Sequence, residues 1–288
     1  MNVTGPEVRW IASAEAPDKT RFETFAGGRG AELYLSGRGS VRADAEAVTV
    51  FLADEAARGE MSGLACSWGR ALWLALNGVF SFHGTVLERD GYCVALLGES
   101  RVGCSVTAMA LTSHGWQLVA DGECPLRLDE NGNLRAIPTE NALEIDTALT
   151  AIGPVPGRAV STGSRRPRSA ISVPRTAADY RVSAVVELRL ARSTDEPVLV
   201  PADHADLGAP QTLKMRCSIG DAVLCASGSL DGELDSFCEE AVAAAPFYVA
   251  LLPEGRPGAF FPPSSVARFL AGAIESLGGP TTGDLASP

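Results

Sequence analysis

Apolar residues recur along this chain with two different spacings, and each spacing predicts a different kind of element. Residues 32–35 and 48–52 are short apolar runs bounded by glycine-rich turns, a pattern typical of β-strands. Between residues 64 and 76, leucine and tryptophan recur every four positions, which is the stripe of an amphipathic helix. Asn77 and Gly78 follow the stripe and favour the end of a helix. The N-terminal part is therefore expected to combine strands with one helix.

The stretch from residue 82 to residue 128 has the clearest order of elements. Residues 92–97 form an uninterrupted apolar run, as expected of a central strand that is buried on both faces. Asp90 and Gly91 precede this run and are a hairpin turn signal. The expected elements, in chain order, are a strand at 83–88, a strand at 92–97, a glycine-bounded loop, a helix at 105–113 and a strand at 116–120. Strand, loop, helix and strand together predict a βαβ unit.

The second half of the chain is less regular. The remaining periodic segments predict helices at 140–151, 231–245 and 264–277 and strands at 182–190 and 198–200. Residues 153–174 are rich in proline, glycine, serine and arginine, so an exposed loop is expected there. Residues 278–288 are expected to form a flexible tail.

Composition narrows the classes of function. The 288 residues carry a formal charge of -11, which disfavours a nucleic-acid-binding protein because phosphate binding needs a basic face. No run reaches the ~18 apolar residues of a membrane span, and the N-terminus lacks the features of a signal peptide. Seven cysteines without a CxxC pair predict reduced thiols rather than a structural zinc site. We therefore expect a cytoplasmic protein with neither nucleic acid nor membrane as its partner.

The glycine-bounded loop fits the frame of a phosphate-binding loop at all but one position. Its pattern, G-x-x-x-x-G-K-[ST], lets backbone N–H groups surround a phosphate while the lysine neutralises charge and the hydroxyl holds magnesium. Cys104 stands at the lysine position, and the chain offers only Lys19 and Lys214 elsewhere. The candidate loop residues are Gly98, Glu99, Ser100, Arg101, Val102, Gly103, Cys104 and Ser105.

The sequence around this loop resembles the catalytic core of the HPr kinase/phosphorylase family. The segments that carry the resemblance are His83-Gly84, YCVALLGES, GESRVGCS and GWQLVADG, against the family's usual HG…GDSGVGKS…GHRLVADD. The resemblance covers roughly residues 82–128, and the upstream part is similar to compact HPr-kinase-like proteins of peptide-biosynthesis clusters, which make natural products. It implies an ATP-dependent protein-serine kinase, and some family members also run the reverse phosphorolysis.

The resemblance also implies an architecture. We expect an α/β fold, in which a P-loop-containing HPr-kinase-like sheet is flanked by helices and joined by a small N-terminal β element. Residues 1–80 would form a β/α element packed on the core, and residues 81–277 the core itself with the arginine-rich loop. Residues 278–288 remain the tail. A homo-oligomer is compatible with this family.

The resemblance implies a role for each residue that matches a position of the family's motifs. Gly98, Gly103 and Ser105 match the nucleotide loop, Asp121 matches the first residue of the family's acidic pair, and His83 matches its active-site histidine. The candidate catalytic residues are therefore His83, Asp121 and Cys104. Ser105 and Asp121 are the candidate magnesium ligands. At a helix N-terminus beside Arg101, the Cys104 thiol is expected to have a lowered pKa.

The chain departs from the family where the chemistry would occur. Cys104 replaces the lysine, Arg101 replaces a glycine and Gly122 replaces the second aspartate. Losing a charge-assisted phosphate contact and a transition-state stabiliser implies on the order of 10³–10⁵ less phosphoryl transfer. The first hypothesis is a degenerate, pseudokinase-like protein that binds a peptide or protein partner and needs no cofactor.

Two alternatives stay open. In one, the protein is an active serine kinase of a peptide or protein that uses ATP and magnesium, with Arg101 in place of the lysine. In the other, it is a non-kinase enzyme with Cys104 as a thiol nucleophile. Arg165, Arg166 and Arg168 are candidate contacts to an acidic peptide or a phosphate of the partner, and the alternative for them is a solvated loop.

Overall fold

The computed structural model divides into two compact units. It describes residues 6–13, 17–25, 29–99, 102–139, 143–146, 157–160, 168–171, 176, 179–192, 194–202, 208–219, 228–254 and 263–280. The first unit is Met1–Ser81 with Cys217–Cys238, and the second is Phe82–Arg216 with Glu239–Pro288. Sequence patterns placed a division at residues 80 and 81 but assigned 217–238 to the core.

The first unit is built on a five-stranded sheet with strand order β1-β5-β4-β3-β2. Its strands are β1 (Glu7–Ala12), β2 (Arg21–Thr24), β3 (Gly30–Leu35), β4 (Gly39–Asp44) and β5 (Ala47–Leu52). Strand β1 pairs parallel with β5, and the other neighbours are antiparallel. The expected strands at 32–35 and 48–52 are therefore present, as β3 and β5.

The amphipathic stripe forms a helix against this sheet. It consists of a 3-10 turn (Glu55–Ala57), α1 (Arg58–Leu64), a π-helical turn (Ala65–Gly69) and α2 (Arg70–Leu76). Gly69 allows a close approach, since a Cβ there would lie 2.8 Å from Val48 Cγ1. The helix ends at Asn77 and Gly78 as predicted, and Gly78 has a φ of 73°.

The second unit is built on a seven-stranded sheet with strand order β14-β15-β13-β7-β6-β8-β9. Its strands are β6 (Phe80–Arg89), β7 (Tyr92–Gly98), β8 (Gln117–Leu128), β9 (Leu134–Ala136), β13 (Tyr180–Ala191), β14 (Val198–Pro201) and β15 (Phe247–Pro253). Strand β13 pairs parallel with β7 and β15, so these three strands end at the same edge. It also pairs with β9, which closes β13, β7, β6, β8 and β9 into a ring.

Four further helices lie in the described part of the chain: α3 (Cys104–Thr112), α4 (Ala209–Lys214), α5 (Gly228–Ala244) and α6 (Pro263–Ser276). Helix α3 packs on this sheet against β7 and β8, and α5 spans the division between the two units. Helices α3 and α6 pack together, and Trp116, Leu118 and Leu270 are among the fully buried residues of the shared core. The predicted strand, loop, helix and strand between 92 and 120 are confirmed. The expected helices at 231–245 and 264–277 are also present, as α5 and α6.

Two local predictions are wrong. The predicted helix at 140–151 is a strand where the structure describes it, β10 (Leu143–Asp146). The predicted loop at 153–174 contains β11 (Gly157–Val160) and β12 (Arg168–Ile171), and β12 pairs antiparallel with both β10 and β11. Apolar and charged residues alternate in Leu-Glu-Ile-Asp, a period of two that suits a strand. Pairing with β12, which is distant in sequence, favours the strand over the predicted helix.

The fold class is confirmed as mixed α/β, with sheets flanked by helices and a small N-terminal sheet. Among the described residues, no helix has the length and apolar character that crossing a membrane requires.

Candidate functional site

The candidate loop connects the end of β7 to the start of α3. Gly98 is required by packing, because a Cβ there would lie 2.5 Å from Val102 Cγ1 and 3.0 Å from the Leu188 carbonyl oxygen. Gly103 has a φ of 111°, a conformation that favours glycine. Both glycines of the frame therefore have a local backbone reason. Ser100 and Arg101 lie outside the described residues.

Cys104 is buried at the first position of α3 and belongs to the core of the second unit. Burial raises the pKa of the Cys104 thiol to about 12, and the Asp121 carboxylate acts in the same direction. The expected lowering of this pKa is therefore wrong, because desolvation of the thiolate outweighs the influence of the helix N-terminus. Burial also raises the pKa of the Cys124 thiol well above its usual range. Position 104 thus holds a neutral, packed group.

Asp121 is buried and accepts hydrogen bonds from two hydroxyls. The Ser105 hydroxyl donates a hydrogen bond to Asp121 Oδ1 at 3.0 Å, and the Thr85 hydroxyl donates to the same oxygen at 2.6 Å. The structure thus brings together the two residues that the sequence pattern paired as magnesium ligands. Thr85 was missed, although its position two residues after His83 on one strand was visible in the sequence.

A magnesium ion prefers six oxygen ligands in octahedral geometry and usually keeps several waters. Ser105 Oγ and Asp121 Oδ1 fit as two such ligands. Gly122 supplies no second carboxylate, and its φ of 79° lies in the region that favours glycine. Within the described ranges, no three His, Cys, Asp or Glu side chains form a metal-binding group. The pair therefore suits an ion that water and phosphate would hold for the most part.

The His83 side chain is exposed on β6, and its backbone is hydrogen-bonded to Arg216. The His83 N–H donates to the Arg216 carbonyl oxygen at 2.8 Å. Because alternate residues of a strand face the same side, His83 shares a face with Thr85, the partner of Asp121. The neighbouring Gly84 allows close strand packing, since a Cβ there would lie 2.2 Å from the Leu96 carbonyl oxygen.

A cluster of charges lies beside the loop and was not identified from the sequence. Glu187 on β13 is fully buried, and its register partner on β7 is Leu97, one residue before the loop begins. Arg189 Nε donates to Glu187 Oε2 at 2.5 Å, and Arg216 Nε donates to Glu187 Oε1 at 2.7 Å. We call Arg189, Glu187 and Arg216 the buried charge cluster.

The buried charge cluster reaches the loop through Arg216. The Arg216 Nη1 atom lies 3.4 Å from Glu99 Oε1, on the second residue of the candidate loop. Arg189 is anchored on the other side, where its Nη2 donates to the Thr212 hydroxyl at 3.1 Å. A glutamate within the apolar run of a central strand was the signal available in the sequence, since unpaired charges are rarely buried.

The arginines predicted to contact a partner lie only in part within the described residues. Arg165 and Arg166 lie outside the described residues, and Arg168 is the first residue of β12, where its backbone pairs with Asp146 and Val160.

Comparison with known proteins adds a short match. No family model matches the chain. Over 41 residues the chain is 54% identical to the HPr kinase/phosphorylase of Lactobacillus delbrueckii subsp. bulgaricus, a match that covers 14% of this chain and 13% of that relative's length. Among solved structures, the Hpr(Ser) kinase/phosphatase from Coxiella burnetii aligns with 69% of this chain and 99% of its own. That alignment has 14% identity and a TM-score of 0.35.

Proposed function

We propose that this chain is a degenerate, HPr-kinase-like protein that binds a peptide or protein partner without normal P-loop phosphoryl transfer. The observation that carries the proposal is that residue 104 is a buried cysteine and not a lysine. A phosphate-binding loop needs a cation there, and this chain has a buried thiol whose pKa is raised to about 12. The thiol can neither neutralise a γ-phosphate nor donate strongly to it.

The short match to an HPr kinase/phosphorylase supports the ancestry in this proposal. The loop keeps its glycines for backbone reasons, whereas Gly122 stands where the family has its second aspartate. Two of the charged groups that phosphoryl transfer would use are therefore replaced by neutral residues, which disfavours catalysis. The predicted deficit of 10³–10⁵ in phosphoryl transfer would leave the protein without useful kinase activity.

The active-kinase alternative has one observation in its favour. Ser105 and Asp121 still meet through a 3.0 Å hydrogen bond, in the arrangement that a magnesium site would use. Magnesium, if bound, would orient the phosphates of a nucleotide, and Asp121 would hold Ser105 in place. The thiol-nucleophile alternative loses its motivation, because a buried thiol with a raised pKa is a poor nucleophile at neutral pH.

Calorimetry and phosphate release with Mg-ATP test the proposal. We expect the wild-type protein to show neither micromolar binding nor turnover. Asp121→Asn is the matched control for contaminating ATPases, since it removes the carboxylate charge and keeps the side-chain size. Turnover by the wild type that is lost in D121N would overturn the proposal and establish the kinase alternative.

A further inference from the structure

Strand β1 is an open edge of the first unit's sheet. Within the described part of the chain it ends the strand order and pairs with β5 alone. All its residues are exposed, among them Val8 at 36%, Trp10 at 37% and Ile11 at 45%. The opposite edge strand, β2, is shorter, with four residues of which three are half-buried. An exposed edge strand with apolar side chains is a template for pairing with another chain.

The backbone of β1 offers hydrogen bonds along its outer side. Ser13, the residue after β1, donates its N–H to the Leu52 carbonyl oxygen of β5 at 2.8 Å. Successive residues of a paired strand direct their N–H and C=O groups to opposite sides, so the odd-numbered residues of β1 face β5. The backbone groups of Val8, Trp10 and Ala12 therefore face away from the sheet. They form the row of donors and acceptors that an added strand would use.

A groove of about 240 Å³ adjoins this edge in the same unit, and its walls include Trp10, Ile11, Leu52 and Arg58. The Arg58 guanidinium carbon lies 4.7 Å from the centre of the Trp10 ring, so a cation–π contact holds the ring in place. Tryptophan and arginine are typical of binding hot spots. The groove therefore suits one apolar side chain of a strand that pairs with β1.

The charges along this edge balance one another. Arg9 Nη2 donates to Glu7 Oε2 at 2.8 Å, and Arg58 forms an ion pair with Glu55 beside the groove. The edge and its groove thus have no net charge, whereas the whole chain has a formal charge of -11. A charged segment would lose hydration here without meeting an unpaired charge of opposite sign. The surface therefore fits an uncharged segment.

We propose that β1 binds an extended, uncharged segment of the partner as a sixth strand of this sheet, with one apolar side chain in the groove. The inference rests on the proposed function, because the segment belongs to the peptide or protein partner. Backbone hydrogen bonds to Val8, Trp10 and Ala12 supply affinity, and the groove supplies specificity. The site lies within the first unit and uses no residue of the candidate loop.

The probe is a peptide of alternating threonine and leucine, blocked at both ends and equal in length to the six residues of β1. N-methyl groups on alternate residues leave it one hydrogen-bonding edge and limit its self-association. We expect it to slow amide hydrogen exchange in the segment that contains residues 7–12, measured by mass spectrometry, because binding protects the outward N–H groups. The same peptide with every residue N-methylated is the control and should give no protection. Equal exchange with the two peptides would overturn the inference.

Val8→Pro tests the backbone contact, since proline removes one outward N–H and spares the bonds to β5. Fluorescence anisotropy of the labelled probe should show binding weakened about two- to ten-fold, as the loss of one hydrogen bond predicts. Val198→Pro is the matched control, at the first residue of β14, the edge strand of the other sheet, and should leave the affinity unchanged. The urea midpoint of V8P should match that of the wild type. Unchanged affinity in V8P, or an equal loss in both variants, would overturn the inference.

Sedimentation velocity tests the competing occupant, a second copy of this chain. We expect V8P and the wild type to sediment alike. A wild-type dimer that V8P converts to a monomer would show that a second copy covers β1, and would overturn the inference. None of these measurements involves nucleotide, so a failure here leaves the absence of Mg-ATP turnover untouched. Conversely, Mg-ATP turnover would overturn the proposed function while hydrogen exchange still decided whether β1 binds a strand.

Discussion

Two neighbouring strands, β7 and β13, end at the same edge of the sheet, and the residues near their ends differ in charge. After β7 come the loop glycines, the neutral Cys104 thiol and the hydrogen-bonded Ser105–Asp121 pair. Near the end of β13 lies the buried charge cluster, with two arginines on the single carboxylate of Glu187. The place where a phosphate loop needs a cation has none, whereas the neighbouring buried charge cluster has two, Arg189 on β13 and Arg216 after α4.

This difference shows that the backbone conformation of the loop and its charge depend on different residues. Gly98 and Gly103 are held by packing and backbone conformation, so they persist whether or not a phosphate binds. The charge depends on one side chain, and the smaller, neutral Cys104 is packed into the core at that position, at the start of α3. The glycine frame of the loop therefore does not depend on a charged side chain at position 104, whereas a buried charge cluster cannot lose one member without disturbing the others.

The largest expected effect is on the cluster. Glu187→Gln keeps the shape of the side chain but leaves two guanidinium groups around a neutral amide. We expect the free energy of unfolding in urea to fall by about 3–5 kcal/mol, as for other broken buried ion pairs. Glu254→Gln, at the exposed pair with Arg192, should cost less than about 1 kcal/mol. Equal losses of unfolding free energy in the two variants would contradict the difference between the buried charge cluster and the exposed Arg192–Glu254 pair.

An intermediate effect is expected on the reactivity of Cys104. A thiol pKa of about 12 instead of about 9 lowers the thiolate fraction about 10³-fold at any pH below 9, and alkylation needs the thiolate. Alkylation of Cys104 should therefore stay slow up to pH 9 and rise only as the pH approaches 12. Peptide mapping by mass spectrometry checks this, with the exposed Cys66 as internal control. Alkylation of both cysteines at one rate would restore the thiol-nucleophile hypothesis.

The smallest effect is expected where a single hydroxyl supports the site. Thr85→Val removes the donor of the 2.6 Å bond to Asp121 and keeps the side-chain shape. We expect a loss of about 1.5–3 kcal/mol in unfolding free energy, because the acceptor is a charged, buried carboxylate. Thr112→Val is the control, since the Thr112 hydroxyl donates only to a neutral carbonyl, that of Met109. A larger loss in T112V than in T85V would contradict the assigned role of Asp121.

The sequence predicted the elements that depend on local pattern. The apolar run at 92–97, the glycine-bounded loop and the helix after it all appear, because burial on both faces and glycine conformations leave direct marks in the sequence. The meeting of Ser105 and Asp121 was also anticipated from the order of these elements. The helix expected at 140–151 was wrong, because β10 is stabilised by pairing with β12, and such pairing leaves no local mark.

By itself, the sequence determined that this loop fits the glycine pattern of a phosphate-binding loop and has cysteine at the lysine position. Only the tertiary structure decided the charge and reactivity of the surroundings. Glu187 and Arg216 are 29 residues apart in the chain, and their contact exists because β13 pairs parallel with β7 while the segment after α4 returns to His83. The pKa of the Cys104 thiol was decided in the same way, since desolvation depends on the atoms that surround a group and not on its neighbours in sequence.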